Sequence, residues 1–222
     1  MRKEILLTAA LAAPLAGQVA EQANEHYRTL EGRQGMLQNL GAADRAERLR
    51  GEAIVRELGI EPGSAVADLG TGGGAMLPLL SSAVGQSGKV FAQDIFPDFL
   101  AHAKENHGAL ANVNWVLGAE KDAKLPPGSV DLAVTIDAYH HYDYPAQVLA
   151  SIRAALRPGG RFAVVDYFKR PGAMNPPADA VQHIRLDRDD MIREVTAHGF
   201  RLVRTVEHVP GRQYIAIFTP AS

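Results

Sequence analysis

The chain has no cysteine among its 222 residues, which excludes disulfides, thiolate metal sites and a cysteine nucleophile. It also lacks an excess of positive charge: 23 Lys and Arg stand against 25 Asp and Glu, a net −2. A strong nucleic-acid binder needs a concentrated basic surface, and Arg45, Arg48 and Arg50, interspersed with acids, read as one solvated helix face. Internal repeats and low-complexity tracts are missing. With 46% hydrophobic and 22% charged residues the chain can bury one substantial core.

What is present begins with Val66-Ala67-Asp68-Leu69-Gly70-Thr71-Gly72-Gly73-Gly74-Ala75-Met76. An apolar run ends in an acid, glycines follow, and helix-forming residues take over. Glycines after a strand let the backbone turn sharply and approach a ligand closely, while the next helix offers free N–H groups. Gly70, Gly72 and Ala75 also satisfy the dinucleotide spacing G-x-G-x-x-[GA]. Asp68 separates the two readings, because a carboxylate at the strand end repels a pyrophosphate and attracts a ligand carrying an ammonium and a sulfonium.

The regular βα alternation continues downstream. Lys89–Ile95 is a short strand ending in Asp94, which suits a ribose diol; the alternative is that Asp94 caps the helix entered at Pro97. Val113–Gly118 and Ser129–Asp137 read as the third and fourth strands, and a helix runs from Pro145 to Leu156. It stops at Arg157-Pro158-Gly159-Gly160, and Arg161–Tyr167 is the fifth strand. Asp187 to Gly199 reads as a helix with Asp187 and Asp190 placed as a capping box. Phe200–Val206 and Tyr214–Phe218, joined through Pro210-Gly211, form an antiparallel hairpin.

These stations resemble class I S-adenosylmethionine-dependent methyltransferases over roughly residues 51 to 219: the acid-tipped glycine loop, the second acid, the "LRPGG" before a strand, and the terminal antiparallel pair. The resemblance implies an α/β fold, Rossmann-like and doubly wound, with a mostly parallel seven-stranded sheet. Residues 51–222 form this domain, and residues 1–50 form an N-terminal apolar segment and helical cap. It implies S-adenosyl-L-methionine as cofactor, held by Asp68, Leu69, Gly70, Thr71, Gly72 and Gly74, by Asp94 and Ile95, and by Asp137 and Ala138 after the fourth strand. Asp122 before Leu125-Pro126 is the candidate for the adenine amino group, with Glu120 and Lys121 competing. Tyr27 and Arg33 of the extension are candidates for the methionine carboxylate. The middle of the chain resembles both quinone-type and arsenite methyltransferases; the latter hold arsenic through thiolates, which this chain does not have.

The expected reaction is methyl transfer to oxygen, nitrogen or carbon of a small-molecule acceptor, with no nucleic acid. An NAD(P)-dependent oxidoreductase and a non-catalytic cofactor-binding protein are the alternatives. His141, His140, Tyr139 and His183 are the candidate catalytic residues, His141 first, since an imidazole is a natural general base. Asp137, Asp166 and the same histidines suit a metal in type, but no ligand spacing is diagnostic, so no metal is expected. Met1-Arg2-Lys3 and the apolar stretch Ile5 to Gly17 have the outline of a secretory signal, too short to span a membrane. Glu4 and Pro14 oppose export, so the expectation is a cytoplasmic protein with export as the alternative, and oligomeric state is left open.

Overall fold

The computed structural model describes residues 19–176 and 178–221; the apolar stretch Ile5 to Gly17 lies outside them. Strands Ala65–Leu69 (β1), Lys89–Asp94 (β2), Val113–Leu117 (β3), Val130–Ile136 (β4), Leu156–Tyr167 (β5), Phe200–Val209 (β6) and Gln213–Pro220 (β7) form one sheet. Its order is β3-β2-β1-β4-β5-β7-β6. Neighbours from β3 to β5 are parallel, and β7 runs antiparallel to both β5 and β6. Helices are Leu30–Leu40 (α1), Arg45–Arg48 (α2), Gly51–Leu58 (α3), Leu77–Val84 (α4), Pro97–His107 (α5), Pro145–Ala155 (α6), Ala180–His183 (α7) and Arg188–Ala197 (α8). The Rossmann-like, doubly wound architecture is the one expected.

Alternation along each strand divides the core in two, because successive side chains point to opposite faces. Ala67 and Leu69 of β1, Phe162 and Val164 of β5, and Tyr214, Ala216 and Phe218 of β7 pack against α6 and α8 through Leu149, Ile152, Met191 and Val195. Val66, Ala163, Val165, Ile215 and Ile217 face the other way, onto Ile54, Leu58, Leu77 and Leu80 of α3 and α4. All five residues of β1 are buried, which is why it reads as a continuous apolar run interrupted only by Asp68.

Three local features, one of them an element boundary, differ from expectation. α6 ends at Ala155, and β5 starts at Leu156 and contains Arg157–Gly160, because Leu156 pairs with Val130 across a register shift that absorbs the extra residues. Asp187 occupies the position before α8 but makes no cap; its carboxylate accepts from the Lys169 amide instead, so the capping box does not form. Arg45 is not on a solvated face but buried, and only Arg48 and Arg50 of that run are exposed.

Residues 19–24 are tied to the segment before α6. The Asp143 carbonyl accepts from the Val19 amide, and its carboxylate accepts from the Ala20 amide and from Asn24 Nδ2. Asn24 Nδ2 also donates to the His141 carbonyl. This strap, with α1 and α2 behind it, lies over the carboxyl ends of the parallel strands.

Candidate active site

The sheet reverses its winding between β1 and β4, and ligands of such sheets sit outside the strand ends at that point. Here the strand ends and the strap enclose a cavity of about 440 Å³. Its floor is Asp68–Gly72 after β1, Gln93–Phe96 at the end of β2, and Ile136–Ala138 after β4; Tyr27, Arg33, Leu40 and Arg45 close it from above.

The glycine loop is clamped at its root, where the Gln93 carbonyl accepts from the Gly70 and Thr71 amides, both at 2.9 Å. Gly70 has φ +76°, and a Cβ there would lie 2.9 Å from the Ala138 Cβ, so both conformation and space require glycine. Gly73 serves a different purpose: a Cβ would lie 2.5 Å from the backbone of Gly41, at the end of α1. The loop is therefore the seat on which the cap rests. Gly74 does not line the cavity; it faces α5, where a Cβ would meet the His107 ring at 2.7 Å.

Two buried carboxylates face the cavity without a cationic partner among the described residues. Asp68 accepts the Thr71 hydroxyl at 2.8 Å. Asp94 accepts the Gly72 amide at 2.9 Å and the Phe96 amide at 3.0 Å. Asp94 thus braces the loop and the entry to α5, while Phe96 occupies the helix-capping position without a side-chain bond. Burial pushes both carboxyls up to about 6, against the pull of their hydrogen bonds. A carboxylate has about four acceptor sites, so each has capacity left for a ligand's donors. This uncompensated negative charge fits an ammonium, a sulfonium and a ribose diol and would oppose a pyrophosphate. S-adenosylmethionine carries the first three.

Asp137, at φ +56°, is occupied by Arg45, whose Nη2 lies 2.8 Å from its carboxylate. Burial holds the Asp137 carboxyl above its ordinary range although Arg45 pulls it down. Sequence reasoning did not find this pair, because nothing local links residues 45 and 137.

The remaining expected residues divide. Leu69, Ile95, Glu120, Ala138, Tyr27 and His141 line the cavity. Asp122 does not: its carboxylate accepts from the Lys124 amide and pairs with Lys124 Nζ in a tight turn, which takes it away from the adenine position expected of it. Lys121 lies over the Tyr144 ring, 4.3 Å from its centroid. Arg33 lines the cavity but its guanidinium is held by Asp98 at 2.8 Å and by the Tyr27 carbonyl at 3.0 Å, so it braces the strap rather than standing free for a carboxylate. Tyr139 is buried in the core and donates to Glu194 at 2.7 Å, away from the cavity. Phe96, Phe99, Asn24 and Tyr142 line the cavity and were not anticipated; Tyr27 stacks on Phe96 at 5.9 Å.

His140, His141 and His183 meet on the side toward β5, with ring centroids 4.1 to 5.2 Å apart. Burial would lower His140, but Asp166, 2.8 Å from Nδ1, lifts it above the usual imidazole range. Burial and the neighbouring histidines hold His141 well below that range and His183 at about 4. His140 and His183 do not line the cavity.

Residues 67–164 match the methyltransferase domain family. The tRNA (adenine(58)-N(1))-methyltransferase TrmI of Thermus thermophilus is 30% identical over 207 residues, 92% of this chain and 72% of TrmI. The ubiquinone/menaquinone biosynthesis C-methyltransferase UbiE of Erwinia tasmaniensis is 30% identical over 114 residues, 50% of this chain and 45% of UbiE. The chain thus spans under half the length of some curated relatives it matches, 37% in another case. A crystal structure of a S-adenosylmethionine-dependent methyltransferase from Aquifex aeolicus superposes with TM-score 0.75 at 26% identity, covering 83% of this chain and 96% of that one. Kinship along the sequence and the single reversed strand of the sheet agree, and the chain belongs to the class I S-adenosylmethionine-dependent methyltransferases.

Proposed function

We propose that this enzyme methylates a small-molecule acceptor bound in the cavity beside His141, Tyr142 and Asp143. The observation that carries this reading is the state of the arginines. Among the described residues each one that reaches the cavity is paired with a carboxylate: Arg28 with Glu21, Arg33 with Asp98 and Arg45 with Asp137. Among the described residues no lysine lines the cavity, so the described wall offers no uncommitted cation to the phosphates of a polynucleotide.

When bound, the cofactor supplies an electrophilic methyl carbon on sulfur. In this reading residues 51–222 are the catalytic body and residues 19–50 of the N-terminal extension supply its roof. Asp94 accepts the ribose hydroxyls, Asp68 takes the α-ammonium side, and Glu120 stands toward the adenine amino group in place of Asp122. The Gly70–Gly72 backbone, Ile95 and Ala138 supply the surface the cofactor lies on. Tyr27 and Phe96 shed water from above, and the wall at His141 and Tyr142 holds the acceptor atom in line with the methyl group. Positioning of this kind accounts for most of what a displacement of this type asks of a protein.

A tRNA acceptor is the second reading, favoured by the likeness to TrmI along 92% of the chain. Methyl-labelled cofactor incubated with phenolic, quinol and amine acceptors, and separately with unmodified tRNA, decides between them. Label is expected in a small acceptor and not in tRNA. Stoichiometric labelling of tRNA would overturn the proposal.

A further inference from the structure

We propose that His140, His141 and His183 form a binding site for a divalent transition-metal ion of the zinc class. One ring nitrogen of each lies within 4.8 Å of one from each of the others. Two Zn–N bonds of about 2.1 Å span at most ~4.2 Å, so closure on an ion asks for ring movements on the order of 1 Å. Three imidazoles with no thiolate suit zinc and its first-row neighbours rather than magnesium or calcium.

The surroundings orient the rings as metal-ligating histidines are oriented. Asp166 lies 2.8 and 3.0 Å from His140 Nδ1, so that nitrogen donates to the carboxylate and Nε2 is the one left to give up its proton to an ion. Asn24 fixes His141 in the same way. Its Nδ2 donates to the His141 carbonyl and to Asp143, so its Oδ1, 2.8 Å from His141 Nδ1, must accept. Two neighbours in sequence therefore present the same tautomer, each set by a partner distant in the chain. His183 arrives from α7, after strand β5, and completes the group. Three protein ligands would leave a coordination position open, and because His141 lines the cavity the site borders it; an ion there would lower the pKa of an oxygen bound to it.

Titration of the untagged full chain with Co²⁺ tests this through the visible absorption of the bound ion. One equivalent is expected to bind and to be displaced by Zn²⁺. His183→Ala and His141→Ala are each expected to weaken Co²⁺ binding at least tenfold, whereas His102→Ala, on α5, leaves it unchanged. S-adenosylhomocysteine binding by the His183→Ala protein reports that the variant is folded. Absence of saturable binding, or binding unaltered in folded His183→Ala, overturns the proposal. Displacement of Co²⁺ by millimolar Mg²⁺ also overturns it, since that would assign the ion to the oxygen-rich group Asp137, His140 and Asp166.

Discussion

Asp94 shows how one side chain takes on two duties. Its carboxylate holds the Gly72 and Phe96 amides and still faces the cavity. Replacement by alanine therefore removes a ligand contact and also orphans two buried donors, each costing about 1–3 kcal/mol. Asp94→Asn separates the effects, because its amide oxygen still accepts from the backbone while the charge is gone. S-adenosylhomocysteine affinity is expected to fall by about 2–3 kcal/mol in Asp94→Asn, measured by calorimetry, with the thermal midpoint lowered less than in Asp94→Ala. Equal affinity of Asp94→Asn and wild type would remove this residue from ribose recognition. Both acids were legible in the sequence because each ends an apolar strand. The arginines were not, since the partners of Arg33 and Arg45 lie 65 and 92 residues away.

The glycine loop and the cap are two elements that fit only because of Gly73. A methyl group there meets the Gly41 backbone at 2.5 Å, and backbone yields less readily than a side chain. Gly73→Ala is expected to cost about 1–3 kcal/mol, to weaken cofactor binding and to speed proteolysis within residues 19–50, while the sheet keeps its far-ultraviolet signature. Unchanged proteolysis would mean that the cap is held elsewhere. Sequence periodicity identified every strand, since buried parallel strands are continuous apolar runs and β6 and β7 flank a Pro-Gly turn. It misplaced the start of β5, because proline and two glycines ordinarily end regular structure and only the pairing of Leu156 with Val130 carries the strand back through them. The family resemblance placed Asp122 in the site, where Lys124, at φ +57°, turns the loop and draws the carboxylate away.

At the scale of the whole molecule, burying two unpaired carboxylates sets stability against function. Asp68 and Asp94 titrate at about 6 in the folded chain and near 4 when unfolded. The native state therefore binds more protons between these values, and their contribution to stability rises as pH falls from 7 toward 4. The ligand-free protein is expected to gain on the order of 2 kcal/mol per carboxyl over that interval, a gain reduced in Asp94→Asn. S-adenosylhomocysteine binding needs the charged forms and is expected to weaken through the same range. Thermal melts with and without ligand at pH 7, 6 and 5 test both directions; a ligand-induced shift that stays constant with pH would contradict the assignment. Among the described residues no helix is long and apolar enough to cross a membrane.

The strap bound to Asp143 has a consequence in time. Three hydrogen bonds from residues 19, 20 and 24 converge on one residue, and opening the roof means releasing them together with the Asn24–His141 bonds and the Arg33 and Arg45 ion pairs, none of which belongs to either half of the core. Openings of that size fall in the microsecond to millisecond range. Departure of the spent cofactor is then expected to wait on a short peptide letting go at the rim, which would place the slow step of turnover there rather than at the methyl group.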